Sequence, residues 1–316
     1  MMAALKRPVL CLMGPTAAGK TALALDLAAQ GNFDFISADS AQVYRRMDVG
    51  TAKPTPAELA LAPHALIDIR EPWEPYSAAD FAAEAGALIE RSWEQGRTPV
   101  LVGGTLLYFR ALMEGLSELP EADTAVRAKL AREAEAKGWA ALHEQLRQVD
   151  PVSAGRIHRN DPQRIQRALE VFRLTGQTLT ELTGETRAGL PARWLKLAIS
   201  PADRAVLHQR IELRFAQMVE AGLLEEVEAL RRDPRVHAGL PAMRAVGYRQ
   251  AWQFLDGEFS REELLLRGVA ATRQLAKRQL TWLRRLTEVT WLDPTESGWR
   301  EDAAGHIARF LHTALC

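Results

Sequence analysis

The segment Gly14-Pro15-Thr16-Ala17-Ala18-Gly19-Lys20-Thr21 matches G-x-x-x-x-G-K-[ST] at every position. Glycines at those places let backbone N–H groups approach phosphate oxygens, and the N-terminus of a following helix adds a favourable dipole. Lys20 brings a point charge to the phosphates, and the Thr21 hydroxyl is a ligand for Mg²⁺. Two further residues can do chemistry beside a bound phosphate. Asp39, after Ile36-Ser37-Ala38, can take a proton from an attacking nucleophile or hold a metal. Thr105, after Gly103-Gly104, can donate to a bridging phosphate oxygen. Each has a plainer alternative: an exposed lysine on a glycine turn, a turn or N-cap aspartate, and an N-cap threonine.

The elements that must position these residues are short. Pro8–Met13 reads as a buried strand leading into the glycine loop and then a helix over Thr21–Gln30, the context in which such a loop binds phosphate. Phe33–Ala38 reads as a second strand, residues 77–95 as a helix with a capped start at Tyr76-Ser77-Ala78-Ala79-Asp80, and Thr98–Val102 as a third strand. Strands alternating with helices predict an α/β fold with a parallel, doubly wound sheet, and ligands bind outside the carboxyl ends of such strands. The loop at 14–21, Asp39-Ser40 and Gly103-Gly104-Thr105 should therefore converge on one site. Residues 121–185 carry helical patterns with polar turns, and Trp194–Ile199 and Val289–Leu292 return to strand character. The reading is a helical insertion near 116–193 within a split α/β core. The phosphate loop alone suggests a nucleotide kinase or ATPase, but enzymes of that class hold their metal with an aspartate at a strand end. The third strand ends in Gly103-Gly104-Thr105 without a carboxylate, so the cradle suits a diphosphate leaving group.

The chain has 316 residues, 47% of them apolar, which is enough for a large core and excludes a disordered chain. No run of about 18 apolar residues suggests a membrane span, and the only early apolar stretch is the strand before the glycine loop. Cys11 and Cys316 have no metal-ligand spacing, and a reducing compartment is the simplest setting. Lys and Arg number 40 against 40 Asp and Glu, a balance that argues mildly against a nucleic-acid partner. Distribution argues the other way. Arg267, Arg273, Lys277, Arg278, Arg284 and Arg285 fall within 267–285 without one acidic residue. On a helical wheel they form two neighbouring stripes opposite Leu275, Leu280, Leu283 and Leu286. An amphipathic helix over 267–286 with a wholly cationic polar face suits a phosphate backbone, with binding that weakens as salt rises. Arg156, Arg159, Arg164, Arg167 and Arg173 cluster against Asp161 and Glu170 only. Arg244 and Arg249 bracket Ala245-Val246-Gly247-Tyr248, where Tyr248 either stacks on a splayed base or packs in the core.

GPTAAGKT (14–21), ISADSAQVYRRMDVGTAKP (36–54), PHALIDIREPWEPYSAADF (63–81), LVGGTLLYFRALMEGL (101–116), NDPQRIQRALEV (160–171) and RAVGYRQ (244–250) together resemble the bacterial tRNA dimethylallyltransferases, the IPP transferase family. The matching blocks run in order across nearly the whole chain. The resemblance implies a P-loop NTPase-like parallel sheet core over 1–115 and 194–316 with C-terminal tRNA-binding helices. It also implies a helical insertion domain, 116–193, that contacts the anticodon loop. The implied reaction moves a dimethylallyl group from dimethylallyl diphosphate to an adenine beside the anticodon of tRNA, with Mg²⁺, in a cytoplasmic monomer without a membrane partner. Such a base must be extruded from its stack to react.

Carried over by motif, Gly14, Pro15, Thr16, Ala17, Ala18, Gly19, Lys20 and Thr21 hold the diphosphate, and Thr21 also the metal. Asp39 is the general base toward the exocyclic amine, Thr105 touches the bridging oxygen, and Ser40, Ala41 and Gln42 receive the base. By the same resemblance Arg127, Gln163, Arg164, Ile165, Gln166, Arg167, Arg244, Ala245, Val246, Gly247, Tyr248 and Arg249 face the tRNA; Arg273, Lys277 and Arg278 join them from the cationic helix face read above. His64 and His158 are read as structural. Ala65 stands where the family more usually has His or Arg, and no cysteine pair marks the zinc finger that eukaryotic relatives can carry. Three rival readings are a P-loop nucleotide kinase, an adenylate isopentenyltransferase acting on free nucleotide, and a non-enzymatic RNA-binding protein.

Overall fold

The computed structural model describes residues 7–184 and 188–313; Cys316 and the last residue of the helical stretch expected over 121–185 lie outside them. Along the chain run β1 (Pro8–Met13), α1 (Lys20–Ala28), β2 (Phe33–Ala38), α2 (Pro56–Leu61), β3 (His64–Ala65), α3 (Ala78–Glu94), β4 (Thr98–Gly103) and α4 (Leu106–Glu114). Next come α5 (Thr124–Lys137), α6 (Trp139–Val149), α7 (Pro151–Arg156), α8 (Pro162–Thr175) and α9 (Leu179–Leu182). The chain continues with β5 (Arg193–Ile199), α10 (Arg204–Glu220), α11 (Leu223–Arg231), α12 (Tyr248–Leu255), α13 (Arg261–Leu283), β6 (Val289–Leu292) and α14 (Trp299–His312).

The six strands form one all-parallel sheet in the order β3-β2-β4-β1-β5-β6. β1 is central, pairing Leu10 with Val100 of β4 on one side and with Leu195 of β5 on the other. Strand side chains alternate between faces, and both faces of β1 are buried. Val9, Cys11 and Met13 enter one core with Phe81, Ile89 and Phe109, while Leu10 and Leu12 enter another with Leu23, Leu27 and Ile307. Helix starts are marked by the chemistry expected of them. Ser77 and Asp80 cap α3 reciprocally, as Ser260 and Glu263 cap α13. The two-residue β3 was not expected from the sequence. It pairs with Phe35 and Ile36 of β2, and is too short for an alternating pattern to reveal it.

The chain forms two compact units, Met1–Met113 with Leu190–Cys316, and Glu114–Gly189. The first holds the sheet. The second packs α5, α6, α7 and α8 around Leu130, Leu142, Leu146, Ile165 and Leu169. Ile165, expected to face tRNA, is fully buried there. It lies three and four residues before Ala168 and Leu169, so the apolar stripe of α8 carries it inward. The expected helix over 267–286 is part of α13 and stops at Leu283. Arg284 is its C-cap and Arg285 lies beyond it, where the chain tightens as Arg285 N–H donates to the Trp282 carbonyl.

Within the second unit Glu170 is a charged anchor whose side chain is fully buried. It accepts from Arg127 Nε at 2.8 Å, Arg167 Nη1 at 2.8 Å and the Asp123 N–H at 2.9 Å. Burial works to raise its pKa, and the hydrogen bonds from Arg127 and Arg167 outweigh it and hold the carboxyl below its ordinary range. A carboxylate depressed in the folded state stabilises above its unfolded pKa, and the contribution is lost as pH falls through the folded value. Glu170→Gln is expected to cost about 1–3 kcal/mol at pH 7 and to remove part of the acid-side loss of stability. Urea denaturation followed by circular dichroism between pH 7 and 3 checks both.

Candidate active site

In a parallel sheet the carboxyl ends of β1, β2 and β4 leave from one edge, and their loops close around a cavity of about 480 Å³. Two close approaches make this possible. A Cβ on Gly103 would lie 2.1 Å from the Ala38 carbonyl oxygen, and one on Gly14 would lie 2.3 Å from that of Ile199. Ala17 and Gly19 adopt left-handed φ of 63° and 100°, which curls the loop ahead of α1. Lys20 Nζ donates to the carbonyls of Gly14 at 3.0 Å and Pro15 at 2.8 Å.

Asp39 Oδ1 accepts from the N–H groups of Ala41 at 2.9 Å and Gln42 at 3.4 Å, which fixes the turn after β2. Thr105 Oγ1 accepts from the Ser40 N–H at 3.0 Å and donates to Ser40 Oγ at 3.2 Å. Asp39, Ser40 and Thr105 are thus stapled into one wall. Gln42 extends that wall, donating to the carbonyls of Thr51 at 3.5 Å and Ala52 at 3.3 Å and accepting from Ser37 Oγ at 3.1 Å.

Most residues singled out from sequence in this unit meet in the cavity. Its lining includes Thr16 to Thr21, Asp39 to Gln42, Thr105, Arg244 to Gly247 and Arg278. Leu275, assigned to the apolar arc of α13, lines it as well. Arg249 lines a separate groove with Arg267 and Gln274. Arg273 pairs with Glu212 at 3.1 Å, and Lys277 is exposed. Tyr248 corrects the sequence reading. Its side chain is fully buried, packs against Gly50 and donates its hydroxyl to Glu226, so it cannot stack on a base. In the second unit Gln163 and Arg164 are exposed, while Gln166 donates to the Arg127 carbonyl at 3.2 Å. Arg167 reaches both Glu170 and the Pro120 carbonyl.

Four residues of the site were missed. Gln279 of α13 accepts from the Thr16 N–H and donates to the Gly104 carbonyl, each at 3.0 Å, tying the phosphate loop to the loop after β4. Glu226 of α11 accepts three successive N–H groups, from Asp48 and Val49 at 2.8 Å and Gly50 at 3.1 Å, a nest that shapes the cavity wall at 50–52. His64, read as structural, stacks on Phe35 and places Nδ1 2.6 Å from the Ala62 carbonyl, yet also lines the cavity; burial pushes its pKa down.

Arg214 of α10 lines the cavity, half-buried, with neither an ion pair nor a hydrogen bond among the described residues. Burial lowers its pKa, with Glu58 opposing. A signal for Arg214 was present: Ile211, Arg214, Phe215 and Met218 follow i, i+3, i+4, i+7 spacing, one helix face with a single cation among apolar groups. Such a face suits a ligand with an anionic head and a hydrocarbon tail.

Comparison with known proteins adds an independent line. The family model described as IPP transferase matches residues 42–286. A solved tRNA isopentenylpyrophosphate transferase from Bacillus halodurans is 38% identical over 98% of this chain and 97% of its own, with a TM-score of 0.70. A tRNA delta(2)-isopentenylpyrophosphate transferase from Staphylococcus epidermidis is 31% identical over 96% of this chain and 99% of its own, with a TM-score of 0.68. A eukaryotic dimethylallyltransferase, described as acting on tRNA, is 27% identical over 95% of this chain and 77% of its own, with a TM-score of 0.77.

Burial, opposed by Asp39 and reinforced by Arg214, pushes the Lys20 amine down to about 8. The protonated form is the one that attracts phosphate. Affinity for inorganic diphosphate, measured by calorimetry, is therefore expected to fall as pH rises through about 8, whereas Lys20→Ala should bind weakly and lose that component of the pH dependence.

Proposed function

The chain belongs to the IPP transferase family, and from that premise we propose that it moves a dimethylallyl group from dimethylallyl diphosphate to N6 of the adenosine 3′ to the anticodon of tRNA, position 37, releasing diphosphate. One observation carries the reading into this chain's own chemistry. A single cavity combines a phosphate loop and two half-buried cations, Lys20 and Arg214, with a carboxylate, Asp39, and an apolar helix face. A nucleotide kinase accounts for the loop alone. The apolar face beside Arg214 and the strand end without a carboxylate favour an allylic diphosphate over ATP.

Lys20, Arg214 and the N–H groups of the phosphate loop stabilise the departing diphosphate as the C1–O bond breaks. Thr105 reaches the bridging oxygen. The adenine amine attacks C1, and Asp39 takes the proton that N6 loses, so that a poor nucleophile becomes competent. The Asp39 turn is held by its own backbone contacts, which keeps the carboxylate placed without help from the substrate.

Among the described residues no group of three or more His, Cys, Asp or Glu converges on a point. The hydroxyl of Thr21 and the carboxylate of Asp39, both on the cavity, are hard oxygen donors that fit Mg²⁺ held chiefly by substrate phosphates. When bound there, Mg²⁺ supplies charge that stabilises the leaving diphosphate.

The acceptor side draws on exposed cations. Arg244 and Arg278 border the cavity, with Lys277 on the same helix and Arg164 with Gln163 on the second unit; these are read as contacts to the anticodon stem-loop. Arg127 and Arg167 serve Glu170 first, and Arg127 remains 44% exposed for RNA. No helix among the described residues is long and apolar enough to cross a membrane. The reading is of a monomer acting in the cytoplasm, where its proposed acceptor, tRNA, is found.

Incubation of the protein with Mg²⁺, labelled dimethylallyl diphosphate and either tRNA or AMP tests the proposal. Label is expected in tRNA; label entering AMP and never tRNA would overturn it in favour of an adenylate isopentenyltransferase. Asp39→Ala is expected to lower kcat about a hundredfold or more while donor Kd moves less than about threefold. Single-turnover kinetics and donor titration separate the two quantities.

A further inference from the structure

A second cavity, of about 580 Å³, lies in the same unit. Its lining shares Ala52, Pro54, Arg214 and Met218 with the first, so these four residues form the partition between the two spaces. On its own side the second cavity presents the apolar side chains of Val49, Leu59 and Ala221. Its charged members do not make it a second anion site. The Lys53 side chain is only 4% exposed, and its ammonium is neutralised between Asp48 and Asp68 at 2.5 Å each. Those two carboxylates are 60% and 45% exposed and face water.

The partition is uneven in what can move. Ala52 has no side chain to rotate and a left-handed φ of 51°, and Pro54 is a ring fixed to the backbone. Arg214 is the cation beside Lys20 in the donor cavity. Met218 is left: half-buried, unbranched, with three rotatable bonds. It stands one helical turn from Arg214 on the same face of α10, at i+4. A prenyl chain whose diphosphate sits at Arg214 and runs along that face therefore meets the Met218 thioether after roughly one turn, about 6 Å on. A five-carbon chain ends near that point, whereas a ten-carbon chain continues into the partition.

Resting on the donor assignment above, we propose that Met218 sets the length of the prenyl group. The second cavity is then an annex that takes the second isoprene unit of a geranyl-type diphosphate once Met218 is trimmed. The reaction is otherwise the same: the C1–O bond of the longer donor breaks, C1 joins N6, the N6 proton goes to Asp39, and diphosphate leaves.

The test is a competition. Wild type, Met218→Ala and Met218→Phe are given equal dimethylallyl and geranyl diphosphate with tRNA, and the modified nucleosides are counted by mass spectrometry. The geranyl-to-dimethylallyl ratio is taken within each sample, so it does not depend on how much of a variant folds. Met218→Ala should raise the ratio about tenfold or more, and Met218→Phe should not raise it. Met218→Val, a smaller truncation, should move the ratio the same way by less, and it replaces the alanine variant if that one does not fold. Adding Leu59→Trp to Met218→Ala fills the annex and should return the ratio toward wild type. An unchanged ratio in the truncated variants, or a gain that survives Leu59→Trp, overturns the gate. Wild type that fails to prenylate tRNA from dimethylallyl diphosphate instead overturns the donor reading, and the gate falls with it.

Discussion

Parallel strands deliver their last residues to one edge of a sheet, and this geometric constraint underlies the rest of the structure. β1, β2 and β4 are neighbours, so the loops leaving them must share a narrow volume. Side chains at Gly14 and Gly103 would collide with backbone carbonyls, and glycine there lets the loops come close enough to form one wall. Small hydrogen-bonding groups then lock the arrangement. Thr105 fastens the β4 loop to Ser40, and the Gln279 amide fastens it to the phosphate loop with one acceptor and one donor. The polar groups of this wall are thus held by contacts within the protein itself, the kind of preorganisation that electrostatic catalysis uses.

Charge is distributed with the same division of labour. Buried or nearly buried ions with structural work have partners: Glu170 has two arginines, Lys53 two aspartates, and Glu226 three N–H groups and a tyrosine. The cations at the cavity differ. Lys20 has only carbonyl acceptors and Arg214 has no ion pair among the described residues, and burial lowers the pKa of both. Removing a cation from water without pairing it is costly, and an anionic substrate offsets that cost.

The legible parts of this fold were those written in short stretches. The phosphate loop, the strands flanking it and the caps of α3 are decided within a few residues, and the strand ends follow from parallel topology. Residues whose role depends on tertiary packing were not legible. Gln279 and Glu226 act on loops more than 170 residues away in sequence, and no local pattern marks them. Ile165 and Tyr248 were misplaced for the opposite reason. Each sits in a polar block that suggests RNA, while helix periodicity for one and ring packing on Gly50 for the other turn the side chain inward. Arg214 stood in plain view as the single cation on an apolar stripe, a pattern easily read as ordinary core.

The nest filled by Glu226 bears on how the donor finds its place. Three consecutive N–H groups at 48–50 pointing at one acceptor are the kind of concavity that also grips phosphate, and Gly50 borders the same cavity as the phosphate loop. The chain therefore contains two anion cradles within reach of each other and stoppers one of them with its own carboxylate. With Glu226 seated in the nest at 48–50, the phosphate loop is left as the open anion cradle on this cavity.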